Sequence, residues 1–234
     1  MATLNIFCAG AAQAVVTEIA GKFQRDSANF VAANFGAVGA MKARVVAGEP
    51  ADVIVLTAAL IDELIQQGLV VAGSRVDLGK VGTGVAVRAG TPLPDVSDTR
   101  VLRGNLLAAT RILFPDPAVA TAGKVVMSAL DKMGITAQVK DRLRFFPNGY
   151  AAMGDLAQSD GLLEMGITQI TEIVANKGVT LVGPLPADVQ NIAVYSVGLA
   201  TRSAHPERAK ELIRRLTGFN AKPVLSAAGF DVGS

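Results

Sequence analysis

An α/β fold in two lobes follows from three features of the 234-residue chain. Short apolar runs of strand character alternate with amphipathic runs of helix period along its length. The run Asp52–Leu56 (DVIVL) is almost wholly apolar, as in a parallel strand covered on both faces. Late in the chain, Ile192–Ala200 (IAVYSVGLA) is a long apolar stretch that reads as a strand crossing between lobes.

The elements follow in order. Leu4–Cys8 is a buried strand that Gly10 breaks. Ala12–Ser27 is a helix with Val15, Val16, Ile19 and Phe23 on one face. A second strand lies near Phe30–Phe35, and Ala59–Gln67 is a helix stopped by Gly68. Val81–Arg88 is a strand, and the proline-rich TPLPDVSD after it marks entry to the second lobe. There the pattern gives a strand at Arg111–Phe114 and a helix over Thr121–Met133 ended by Gly134. A strand at Leu143–Phe146, a helix over Gly149–Gln158 and a strand at Leu162–Ile167 follow. The last helix, Pro206–Leu216, has proline in its first turn, where a missing N–H costs nothing. Residues 1–82 and 195–234 are expected to form one lobe, with 83–194 inserted as the other.

Composition removes several function classes. No apolar run reaches the ~18 residues of a membrane span. A net charge of +2 gives no electrostatic footprint for nucleic acid. One cysteine, Cys8, and one histidine, His205, exclude a disulfide framework and leave no structural zinc set. His205 stands before Pro206 and reads as a solvated capping residue, so a Ser-His-Asp triad lacks its base. HExxH, Walker A and GxGxxG are absent, and no cofactor or metal is expected. The chain begins MATLNIF and passes straight into a strand, so the expected location is cytoplasmic, or periplasmic if a leader precedes residue 1 and is removed.

Four strand-to-helix turns are built from small residues: Ala9-Gly10-Ala11-Ala12, Gly36-Ala37-Val38-Gly39-Ala40, Ala120-Thr121-Ala122-Gly123 and Asn148-Gly149-Tyr150-Ala151-Ala152. Small residues can simply permit tight turns. They also let an anion approach the unpaired N–H groups and partial positive charge of a helix start. Two such turns from each lobe are expected to face each other across a cleft. The binding candidates are Gly10, Ala11, Ala12, Val38, Gly39, Ala122, Gly123, Asn148 and Gly149, with Thr168 at a later strand end.

The ordered set IFCAGAAQAV, FGAVGAMKARVVAGEPADVIVLT, VGTGVAVRAG, DPAVATAGKVV, EMGITQITEI, VGPLPADVQ and YSVGLATRSAHPERAKELIRRL resembles the type-2 periplasmic binding protein fold. It is most similar to the molybdate-binding proteins of ABC transporters. The resemblance covers nearly the whole chain and implies two lobes with an anion cleft between them. Molybdate binders of this family place serine hydroxyls at positions that fall on Ala11 and near Val38, and a tyrosine near Ile167 or Thr168; those hydroxyls are lost or changed. Each lost hydrogen bond to a charged group is worth roughly 1.5–3 kcal/mol. A larger carboxylate with an apolar portion therefore suits the turns better than a small tetrahedral oxyanion.

EMGITQITEI and VGPLPADVQ resemble the aconitate-isomerase-like branch. That resemblance implies cis–trans isomerisation or an allylic proton shift of a small unsaturated di- or tricarboxylic acid. Such a reaction needs carboxylate anchoring, a base and stabilisation of a dienolate-like anion. Tyr150 is the proton-relay candidate, Gln169 and Thr168 can hydrogen-bond the ligand, and Lys42 can add charge after the second turn. Lys42 also reads as a solvated helix lysine, Thr168 as a helix cap, and Cys8 as a small buried hydrophobe. Asp116 and Glu164 are base candidates by position only. The partner is then a small anionic organic molecule, with no nucleic acid and no membrane. A solute-binding protein working with an ABC permease is the alternative. A ligand-sensing domain is disfavoured, since no helix-turn-helix precedes the fold.

Overall fold

A computed structural model describes residues 2–27 and 29–233. In chain order these residues form β1 (Thr3–Ala9), α1 (Gln13–Ser27), β2 (Phe30–Gly36), α2 (Val38–Val46), β3 (Val53–Thr57), α3 (Ala58–Gln66) and β4 (Val76–Arg88). Then come α4 (Thr99–Ala108), β5 (Arg111–Pro115), α5 (Thr121–Lys132), α6 (Thr136–Val139), β6 (Leu143–Phe146), α7 (Gly149–Gln158), β7 (Glu164–Gln169) and α8 (Ile170–Val174). The chain ends with β8 (Val179–Pro184), β9 (Ile192–Leu199), α9 (Pro206–Thr217) and α10 (Lys222–Ala227). It divides into two compact units, Met1–Val81 with Ala193–Ser234, and Gly82–Ile192.

In the first unit β1 pairs in parallel with β2 and with β3, and β9 runs antiparallel to β3. All five residues of β3 are buried, which is why its sequence shows no alternation. Helix α1 lays Val15, Val16, Ile19, Ala20 and Phe23 into the core. It starts at Gln13, because Gly10–Ala12 forms a single 3-10 turn. Helix α3 stops at Gly68, whose φ of +71° is the left-handed conformation that glycine adopts without a Cβ clash. The N–H of Leu69 then reaches back to the Leu64 carbonyl, capping the helix end.

In the second unit β4 is antiparallel to β7 and β8, while β5 is parallel to β6 and β7. Both sheet faces are covered. Val85, Ile112, Phe114 and Ile167 pack with Leu102 and Leu106 of α4 and with Val126 and Leu130 of α5. Ala86 and Leu113 pack with Ala152, Met153 and Leu156 of α7 and with Ile173 of α8. Helix α4 and strand β8 lie where the sequence pattern had given no element. The start of α4 is marked by Asp98, whose carboxylate accepts the Val101 N–H at 2.8 Å. Strand β8 is only partly buried, so it lacks a strong apolar pattern. Strand β7 begins at Glu164, two residues later than expected, because Leu163 has a φ of +58° and cannot continue a strand.

No helix among the described residues is long and apolar enough to cross a membrane. His205 holds the N-cap position of α9, but its side chain makes no capping bond. Its backbone N–H instead points to Asp52, which is 2% exposed. The Asp52 carboxylate also accepts the Asn5 N–H at 2.8 Å and the Ser203 hydroxyl at 2.6 Å, tying the segment before β3 to β1 and to the approach to α9. Asp52→Ala leaves buried donors unpaired and should lower unfolding stability by about 1–3 kcal/mol, read from urea denaturation; an unchanged midpoint would show that this anchor carries no weight.

Candidate functional site

In open α/β sheets, ligands meet the carboxyl ends of the strands. In the first unit those ends are the turns after β1 and β2. Gly10, Ala11, Ala12 and Val38 are buried there, and Gly39 is half-buried. The N-cap residues are Ala9 and Ala37, which have no side chain able to bond the helix N–H groups. Neither Ala11 nor Val38 offers a hydroxyl. Lys42 lies one turn into α2, where its ammonium pairs with the Glu63 carboxylate of α3. Cys8 is buried, its thiol donates to the Ala9 carbonyl at 3.2 Å, and burial pushes its pKa up. Gly10 and Gly123 do not belong to the left-handed glycines, so neither turn depends on a positive φ.

The second unit carries the third and fourth turns, which differ from each other. At the third, Ala120 is an N-cap without a side-chain bond, and Ala122 and Gly123 are buried. A Cβ on Gly123 would collide with the backbone of Pro115–Pro117. Close packing of helix α5 on the loop that feeds it is by itself a sufficient reason for glycine here. The Asp116 carboxylate accepts the Ala118 N–H at 2.8 Å within that loop. At the fourth, Asn148 caps α7 by accepting the Ala151 N–H at 2.9 Å. A Cβ on Gly149 would collide with the Glu172 carboxylate and the Thr168 hydroxyl.

Glu172, in α8, is 5% exposed and lies against this turn. The Thr168 hydroxyl donates to its Oε2 at 2.5 Å, and the backbone N–H groups of Gly149 and Gln169 donate as well. Burial raises its pKa to about 7, with these three hydrogen bonds pulling the other way. The start of α7 therefore already holds an internal carboxylate. Sequence reasoning missed Glu172. The available signal was an acid four residues after Thr168 in an otherwise apolar segment.

Gln169 ends β7, is 3% exposed, and has no partner for either end of its amide among the described residues. Thr83 is its register partner on β4, and the Thr83 hydroxyl is likewise buried and unpartnered. The Thr171 hydroxyl is a third such group. Buried polar groups are nearly always satisfied in native proteins, so these three unpartnered groups near the end of β7 stand out from the rest of the unit. Tyr150 is half-buried beside Gly149 in the first turn of α7. Glu164 cannot join them. It starts the six-residue strand that Gln169 ends, about 17 Å away, and pairs with Arg111 at 3.3 Å. Among the described residues no group of His, Cys, Asp and Glu is placed to hold a metal ion.

Because Glu172 has a folded pKa near 7 against an ordinary 4.5, the folded state holds a proton that the unfolded chain has lost between those values. Its contribution to stability is complete below pH 4.5 and falls as pH rises through about 7. Urea unfolding across that range should show this decline, and Glu172→Gln, neutral throughout, should flatten it. An identical pH slope in the variant would contradict the assignment.

A family model described as bacterial extracellular solute-binding protein matches residues 4–231. The chain is 27% identical over 236 residues to the aconitate isomerase of Pseudomonas sp., covering 97% of this chain and 87% of that protein. It is 22% identical over 231 residues to the molybdate-binding protein ModA of Escherichia coli (strain K12), covering 98% and 89%. The structure of the periplasmic molybdate-binding protein of Azotobacter vinelandii matches with a TM-score of 0.83 at 20% identity, over 99% of this chain and 100% of that one. That likeness shows the α/β binding-protein fold. With a family model spanning nearly its whole length, the chain belongs to the bacterial extracellular solute-binding proteins.

Proposed function

We propose that the chain is an isomerase of a small unsaturated di- or tricarboxylic acid. One observation carries the reading: a carboxyl, Glu172, buried against the start of α7 and held by the Thr168 hydroxyl, where burial raises its pKa to about 7. Such a group both takes and returns a proton at physiological pH, which an allylic shift requires and a carrier does not. In this reading Glu172 is the proton acceptor and Tyr150 relays the proton between it and the substrate. The allylic C–H bond breaks, its electron pair spreads into a dienolate, the proton passes to the Glu172 and Tyr150 pair where it exchanges with solvent, and a proton from that pair is returned at the other end of the allyl system. Gln169, Thr83 and Thr171 supply hydrogen bonds to the substrate, and their missing partners are what support that role. The aconitate isomerase relative supports the substrate class.

The second reading, a solute-binding protein serving an ABC permease, is supported by the family description and by the molybdate-binding relative. Against molybdate stand Ala11 and Val38, which offer the first two turns no hydroxyl. The family description supports a location outside the cytoplasm, and the cytoplasmic expectation has no support among these relatives.

Incubating the protein with cis- and trans-aconitate and following the vinyl protons by NMR separates the readings. Isomerisation is expected, with deuterium entering the allylic positions in D2O. Glu172→Gln should lower kcat by about 100-fold or more and remove the limb of the kcat–pH profile near 7. Tyr150→Phe should lower kcat more than it raises KM. Saturable binding with neither turnover nor deuterium exchange would overturn the enzyme reading in favour of the carrier.

A further inference from the structure

A cavity lies in the Gly82–Ile192 unit, at the other end of the sheet from Thr83 and Gln169. It has a volume of about 530 Å3 and sits where β4 ends and β7 begins. Val87, Leu93, Leu156, Leu162, Leu163 and Met165 give it apolar walls. Its size falls within the usual range for small-molecule pockets.

Three features of the lining have no explanation within the fold. Leu162 is 76% exposed and Leu163 is 67% exposed, so two leucines stand side by side in water at the rim. Leu163 is also the one non-glycine residue with a left-handed backbone among the described residues, at a φ of +58°. Thr110 holds it there, donating its N–H to the Leu163 carbonyl at 3.0 Å and its hydroxyl to the Leu162 carbonyl at 2.7 Å. Strained backbone held in place by its surroundings concentrates at ligand clamps. The third feature is Arg88, whose buried Nε has no hydrogen-bond partner among the described residues.

The charges in the lining select the sign of the ligand. Glu164 also lines the cavity, but its two oxygens are held by the Arg111 guanidinium at 3.3 and 3.4 Å. With Glu164 so paired, Arg88 is the charge that the lining leaves over, and a guanidinium pairs best with a carboxylate. We propose that this cavity is a second ligand site, which takes a monocarboxylate with an apolar alkyl or aryl body, the headgroup on Arg88 and the chain against the leucines. It is separate from the polar cluster at Gln169, and its ligand differs in kind from a polycarboxylate.

The test uses the full chain with decanoate as the probe, and with decanol and decylamine as neutral and cationic counterparts. Titration calorimetry should give one saturable site for decanoate. Methyl NMR should show shifts at Leu93, Leu162, Leu163 and Met165. Arg88→Gln should weaken decanoate by about tenfold or more while leaving decanol unchanged. Leu162→Ser, at an exposed position, should weaken decanoate and decanol alike, and it decides the matter if Arg88→Gln does not fold. The proposal is overturned if decanoate fails to saturate below its micellar range, or if the shifts fall at Ile167 and Ile170, beside Gln169, instead. Decylamine binding tighter than decanoate, or Arg88→Gln and Leu162→Ser binding like the parent, would overturn it as well.

Discussion

A carboxylate buried at the start of a helix organises the second unit. Glu172 is held by one hydroxyl and two backbone N–H groups, from Thr168, Gly149 and Gln169. Those donors belong to the end of β7 and the first turn of α7, so one side chain joins β7, α7 and α8. An ionised carboxylate in such a place needs every one of those bonds, because water is not there to replace them. The same demand explains Gly149, where any Cβ would displace the carboxylate. Burial outweighs the three donors and leaves the group titrating about 7.

This arrangement separates the four small-residue turns into two kinds. The helix starts after Ala9, Ala37 and Ala120 lack a side-chain cap. The start of α7 is filled from within, by Asn148 and Glu172. A helix start whose first N–H already donates to Glu172 has that donor occupied, whichever protonation state the carboxyl is in. The same stretch of chain, from the end of β7 into α8, also carries the unpartnered amide of Gln169 and hydroxyl of Thr171. The first unit has a buried carboxylate of its own in Asp52, but its donors come from β1 and the approach to α9, at the opening end of β3. That group joins segments of the fold, away from the carboxyl ends of the strands.

Much of the fold was legible because its elements carry local signals. Strands β3 and β6 and helix α7 lie within a residue or so of their expected ranges, since apolar runs and small-residue turns bracket them. Helix α4 and strand β8 were not legible. A proline-rich lead-in hides the first, and partial burial weakens the pattern of the second. Part of the candidate site could be read for the same reason, as in the small turns and Gln169. What could not be read depends on contacts distant in sequence. Glu63 neutralises Lys42 from the next helix, the loop backbone explains Gly123, and Glu172 reaches Gly149 from across α7 and β7. Glu172 also lies in a five-residue helix, too short to show a period that would mark it as inward-facing.

The central claim is that Glu172 gains and loses its proton near neutral pH while held against the start of α7. Labelling glutamate side chains with 13C and following the Glu172 carboxyl shift from acid to neutral pH reads that directly, with Glu172→Gln assigning the signal. The account predicts a midpoint near 7. A midpoint near the ordinary glutamate value of 4.5 would contradict it.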